Sequence, residues 1–120
     1  MSRATNAPAS RRRRKKILKL AKGFRGGRSK LYRTAAETVK RSLAYNYRDR
    51  KVKKRIFRGL WIIRINNAAK INGISYRNFM EGLKKANVEL NRKMLADLAV
   101  NDAHTFKKIV DVVRSRIRLH

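Results

Sequence analysis

Between residues 1 and 60 this chain carries 22 Lys and Arg residues against two acids, Glu37 and Asp49, a net charge of +20. Residues 61 to 120 carry 12 against five, a net of +7. Like charges at that density repel one another, and the apolar residues before Ile56 are scattered, so the front half is not expected to collapse onto a core of its own. It is expected to order when an anionic partner cancels the repulsion. The 120-residue chain has room for one small globule at most. Its formal charge of +27 and isoelectric point of about 11.8 select a polyanion as the partner.

The absence of cysteine removes disulfides and thiolate metal sites from consideration and fits a reducing compartment. The apolar run Leu60 to Ile65 falls far short of the roughly 20 residues that span a bilayer. No signal-peptide apolar region follows Met1. The opening "MSRATNAPASRRRR" shares the Arg-rich, acid-poor character of an organellar transit peptide but is short for one. Neither export nor membrane insertion is expected.

Residues 1 to 10, with Pro8 and small polar side chains, read as a disordered lead. The run Arg11 to Lys16 then enters a short helix through Ile17, Leu18, Leu20 and Ala21, which Gly23 ends. From about Leu31 to Ile71 there is no Pro and only Gly59 among strong helix formers. One long helix or two collinear ones follows, about 60 Å of rod at 1.5 Å per residue. In its first part Leu31, Ala35, Val39, Leu43 and Tyr47 form one narrow apolar stripe, with cations on the remaining faces. So thin a stripe buries little, and phosphates are the expected cladding.

Beyond Ile56 the apolar face broadens through Phe57, Leu60, Trp61, Ile63, Ile65, Ala68 and Ala69, which predicts packing against other protein elements. Asn72-Gly73 is a stop signal. Ser75 is an N-cap for a helix carrying Phe79, Met80, Leu83 and Ala86, with Ile74 and Phe79 placed as a hydrophobic staple. Asn91 caps a third helix with Met94, Leu95, Leu98 and Ala99. Asp102 caps a fourth with Phe106, Ile109, Val110 and Val113. Arg114 to Arg118 place cations at its C-terminal end, where the helix dipole favours them. No stretch alternates as a strand. The expected fold is all-α, with a long basic helical extension over 1–58 and a small globular helical domain over 59–120.

Chemistry has few candidates. "AKGFRGGRSK", residues 21 to 30, lacks the Walker A spacing and has Arg28 where that loop needs Lys. Gly23-Phe24-Arg25-Gly26 matches the four-letter GXXG of KH domains without the strands that fold requires. What remains is a hinge whose glycines permit sharp backbone angles beside phosphate, with Phe24 free to pack or stack. Of the two histidines, His120 is terminal and His104 sits just after a cap. Asp97 and Asp102 are too scattered to build a triad with it, and no His, Asp or Glu cluster has metal-ligand spacing. No enzyme, metal, cofactor or small-molecule substrate is expected.

Binding has many candidates. Tyr32, Tyr45, Tyr47 and Phe57 are interleaved with Arg and Lys, a mixture that lets guanidiniums take phosphates while rings stack on exposed bases. In "YNYRDR", Asp49 is placed to orient a neighbouring Arg. The expected RNA contacts are Arg11, Arg12, Arg13, Arg14, Lys15, Lys16, Lys19, Lys22, Arg25, Arg28, Lys30, Arg33, Arg48, Arg50, Lys51, Lys53, Lys54, Arg55 and Arg58 on the extension, with Arg92 and Lys93 on the domain. Their role is electrostatic positioning more than base reading.

From "RRRRKKILKLAKGFRGGRSKLYRTA" through "YNYRDRKVKKRIFRGLWIIRIN" to "NGISYRNFMEGLKKANVELNRKMLADLAV" and the Phe106 helix, the sequence resembles the L-twenty family of bacterial large-subunit ribosomal proteins. It departs from the family pattern in a less basic residues 1 to 10, in Ile63 where Thr is common, and in Asn67 for a usual Ala. The resemblance implies a non-catalytic protein that binds 23S-type ribosomal RNA early in large-subunit assembly. It implies a helical extension threaded through RNA, a helical domain on the subunit exterior, and neighbouring large-subunit ribosomal proteins as further partners. A cytoplasmic bacterial ribosome is the expected location, with the ribosome of an organelle of bacterial descent as the alternative. In some members the domain also represses translation of its own operon.

Two rivals suit the charge. A histone-like DNA-compacting protein would prefer duplex DNA without structural selectivity. A membrane-active cationic helix would need more apolar area than the Leu31 to Tyr47 stripe supplies.

Overall fold

A computed structural model describes residues 3–117. Among them the regular structure is helical throughout: α1 over Ala7–Leu20, a 3-10 turn over Gly26–Arg28, α2 over Tyr32–Ile71, α3 over Tyr76–Lys85, α4 over Arg92–Asn101 and α5 over Ala103–Ile117. The all-α expectation holds, and the long helix is a single one of 40 residues. Met1 and Ser2 of the lead, Arg118 of the last turn and His120 lie outside the described residues. By its contacts the chain divides into two compact units, Met1–Lys51 and Val52–His120, with the division falling inside α2.

In the first unit the expected disordered lead is shorter than the sequence suggested. Helix α1 begins at Ala7 because Pro8 sits in its first turn, where the missing N–H has no intrahelical acceptor to lose. The backbone after α1 turns at Gly23 and Gly26, with φ of 92° and 67°, values that glycine alone adopts without steric cost. Of the narrow stripe on α2, only Ala35 and Val39 are covered, by Ala21 together with Ile17, Leu18 and Phe24. Leu31, Leu43 and Tyr47 stay more than half exposed. Two alanines and a valine are a very small core. At roughly 25 cal/mol per Å² of apolar area, they offset little of the ~1–2 kcal/mol per residue lost in ordering the backbone.

In the second unit, Ile65 and Ala69 of α2, Phe79 and Leu83 of α3, Leu95 and Ala96 of α4, and Phe106, Val110 and Val113 of α5 form the buried cluster. Helices α3 and α4 both pack on α5. The broad face expected after Ile56 is only partly covered, since Ile56 and Ile63 are 64% and 58% exposed and Phe57 also faces solvent. Ile63 sits between Trp61 and Ile65, which both join the core, so it stands on the opposite face of the same turn of α2.

Helix boundaries follow local chemistry. At the end of α2 the Gly73 N–H donates to Lys70 O and the Ile74 N–H to Ala69 O, with Gly73 at φ 77°, a Schellman ending. Asn87 does the same for α3 at φ 54°, its N–H donating to Lys84 O and that of Val88 to Leu83 O. Side chains of Ser75, Asn91 and Asp102 accept from the backbone N–H of Asn78, Met94 and Thr105 at 3.2, 2.9 and 3.1 Å, so all three expected N-caps form. The Arg114 guanidinium donates to Asn72 O, tying α5 to the end of α2.

Two results are expected here. The Thr105 hydroxyl, 2.5 Å from Asp102 Oδ2, and the Thr105 N–H hold the Asp102 carboxyl below its usual 3.8. A depressed folded-state value means the contribution is present above the unfolded value and is lost as pH falls through the folded one. The thermal midpoint of the wild type should therefore approach that of Asp102→Asn as pH drops from about 5 to 2, the range that spans this titration. A gap independent of pH would count against it.

At Gly82, an added Cβ would lie 2.3 Å from Val113 Cγ1. Ala gains up to ~1 kcal/mol of helix propensity over Gly, whereas overpacking a fixed core costs ~1–3 kcal/mol. Val113 is fully buried and has nowhere to retreat. Gly82→Ala should lower stability in urea unfolding, and a rise would show that α3 shifts freely.

Candidate nucleic-acid interface

Of the 21 cations expected to meet RNA, all but Arg92 are exposed. Arg11 to Arg14, Lys15, Lys16 and Lys19 project from α1. Lys22, Arg25, Arg28 and Lys30 follow the glycine bends, and Arg33 through Arg58 line α2. Only one of them, Arg48, joins an ion pair among the described residues, its Nε 3.0 Å from Asp49 Oδ1. Asp49 thus orients a neighbouring Arg as its position suggested. Since the pair is exposed, its effect is to direct the guanidinium more than to add stability.

The aromatic residues of the basic segment stand beside cations. The Arg48 guanidinium lies 4.5 Å from the Tyr45 ring centroid, the Lys51 ammonium 4.4 Å from Tyr47, Arg14 5.8 Å from Tyr32 and Lys53 5.8 Å from Phe57. Each is within cation–π range, and Tyr45, Tyr47, Tyr32 and Phe57 all keep two-fifths or more of their surface in solvent. A ring held by a cation and open to solvent is a platform on which a base can stack while the cation meets the phosphate. Phe24, by contrast, packs against the small Ala35 cluster.

On the second unit Lys93 is exposed, while Arg92 is half-buried and donates from Nε to the Tyr76 hydroxyl at 3.0 Å. That bond, across 16 residues of sequence, fixes the guanidinium in one place, which sequence spacing gave no means of seeing. Trp61, Arg64, Asn91, Lys93 and Met94 line one open groove with Ala96 and Asp97. Arg64 escaped the sequence reading because it follows the last dense basic run.

Among the described residues no group of three His, Cys, Asp or Glu could hold a metal ion. His104 is exposed on α5. No helix among them is long and apolar enough to cross a membrane.

Helices dressed in exposed cations, few of them in ion pairs among the described residues, with aromatic rings set among them and a small helical core at one end of the sequence, define a class of basic helical proteins whose surface suits a polyanion. The match to known proteins is more specific. The family model described as ribosomal protein L20 covers residues 3–109, and the chain belongs to that family. It is 59% identical over 117 residues to the large ribosomal subunit protein bL20 of Pelotomaculum thermopropionicum, spanning 98% of this chain and 100% of that protein. It is 60% identical over 115 residues to the bL20 of Oleidesulfovibrio alaskensis, spanning 96% and 98%. With that of Nitratidesulfovibrio vulgaris it shares 62% identity over 109 residues. The chain is a structural ribosomal protein and not an enzyme.

Proposed function

We propose that the protein binds 23S-type ribosomal RNA directly and promotes early assembly of the large subunit, without catalysing a reaction. Residues 1–58 serve as the RNA-penetrating extension and 59–120 as the globular domain, beside neighbouring large-subunit ribosomal proteins. The observation that carries this reading is the set of exposed cations on α1, the glycine bends and α2, of which only Arg48 has an acidic partner among the described residues. A surface with so few internal counterions leaves its charge for an external one. Rings set among those cations favour RNA with unstacked bases over uniform duplex. Bacterial cytoplasm is the proposed location, and repression of the protein's own operon would fall to the 59–120 domain.

The test is equilibrium binding of the purified chain to a folded 23S rRNA fragment and to duplex DNA over a tenfold range of salt. Ten phosphate contacts give a log–log slope of about −7 on single strands and about −9 on duplex. Retention of the rRNA fragment at salt that releases the duplex is expected. Equal release of both would favour the histone-like reading instead. Vesicle binding that survives nuclease would favour the membrane one.

A further inference from the structure

Within the first unit, a groove of roughly 430 Å³ opens between the glycine bends and α2, lined by Phe24, Arg28, Glu37, Arg41, Tyr45 and Asn46 among others. Glu37 is one of two acids in the front half of the chain, and the other, Asp49, is accounted for by Arg48. Nothing among the described residues accounts for Glu37. It takes part in neither ion pair among the described residues, although Arg33 and Arg41 stand four residues to either side on the same helix. It also lies past the first turn of α2, where no acid is found, so the helix dipole gives it no reason to be there. A carboxylate kept exposed in a groove among cations weakens phosphate binding, and its presence there calls for a ligand that donates hydrogen bonds.

We propose that this groove takes a single unpaired guanine from RNA, an inference that rests on the RNA-binding reading above. A carboxylate only accepts hydrogen bonds and can accept two side by side. Among the bases, guanine presents two adjacent donors, N1–H and N2–H, on its Watson–Crick edge. Uracil presents one donor between two acceptors, which a carboxylate repels. Tyr45 supplies the stacking surface for the base, the Arg48 guanidinium 4.5 Å from its centroid steadies that ring, and Phe24, packed on the Ala35 cluster, lines the groove beside it. Arg28 and Arg41 stand in the same groove to meet the flanking phosphates. The groove thus reads one base within an interface that otherwise reads only charge.

The experiment uses the full chain and a set of RNA hairpins identical but for one bulged nucleotide, G, A, C or U, compared at fixed salt. The wild type should prefer the G bulge to the U bulge by about tenfold, the scale of one bidentate base contact. Glu37→Gln, an exposed change that leaves the fold intact, should bind all four hairpins more tightly while the G-to-U ratio falls to about twofold or less, since one of the paired acceptors is gone. A 6-thioguanine at the bulge should photocrosslink to Phe24 or Tyr45. Equal affinity for the four bulges, an unchanged ratio in Glu37→Gln, or crosslinks confined to other segments would overturn the guanine site and leave RNA binding standing. Failure to bind any hairpin would overturn both.

Discussion

Replacing Arg48, Arg50, Lys54, Arg55 and Arg58 together by glutamine is expected to weaken binding to a folded 23S-type rRNA fragment about a thousandfold at ~0.1 M salt, with the loss shrinking toward nothing near 1 M. Each phosphate contact contributes about 0.7 to 0.9 to the log–log salt slope, so five should flatten it by about 3.5 to 4.5. All five side chains are exposed and Gln is a good helix former, so α2 itself should persist. The internal interactions removed are those of Arg48, its exposed pair with Asp49 and its cation–π contact with Tyr45, each worth at most ~1 kcal/mol. Filter binding across salt, with circular dichroism as the control for helicity, decides the matter. A variant that keeps the wild-type slope would place the phosphates elsewhere on the chain.

The second large effect belongs to the core. Phe79 and Phe106 are both essentially buried, with ring centroids 5.2 Å apart and planes inclined by 33°. Truncating a buried Phe to Ala costs ~3–5 kcal/mol through lost transfer energy and the cavity left behind. Small domains sit at the low end of the ~5–15 kcal/mol range of folding stability. Phe79→Ala should therefore abolish the cooperative unfolding transition of the full chain in urea, followed through Trp61, which packs against this core. Phe79→Leu, closer to conserving volume, should keep a transition at lower denaturant. Should Phe79→Ala unfold within ~1 kcal/mol of the wild type, the core assigned to residues 65 to 113 would be wrong, because no buried Phe pair is that dispensable.

Helix ends were legible in the sequence because their causes are local. Ser75, Asn91 and Asp102 each act on an amide three residues away, and Asn72-Gly73 ends α2 through bonds that span three to five residues. Coverage of α2 was not legible. The apolar residues from Ile56 to Ala69 spread over most of the helix circumference, with Ile56 and Ile63 opposite Ile65 and Ala69, and burial falls on Ile65 and Ala69, where elements distant in sequence land. Gly82 is another such case, since its lack of a side chain matters only because Val113 lies opposite. The exposed cations of the interface followed from composition, whereas the Arg92 bond to Tyr76 and the surroundings of Glu37 required coordinates. One signal of the latter was present all along, a solitary acid within a long basic run.

Every member of the larger buried cluster comes from Ile65 or later in the chain. Synthesis proceeds from the other end, at about 5 to 20 residues per second. For several seconds, the nascent polypeptide therefore exists as a cationic tether with only the small Ala35 cluster to hold it, open to proteases and to any stray nucleic acid nearby. A cell making this large-subunit protein gains by building it quickly into a particle, and a delay in that step should show first as degradation of the front half.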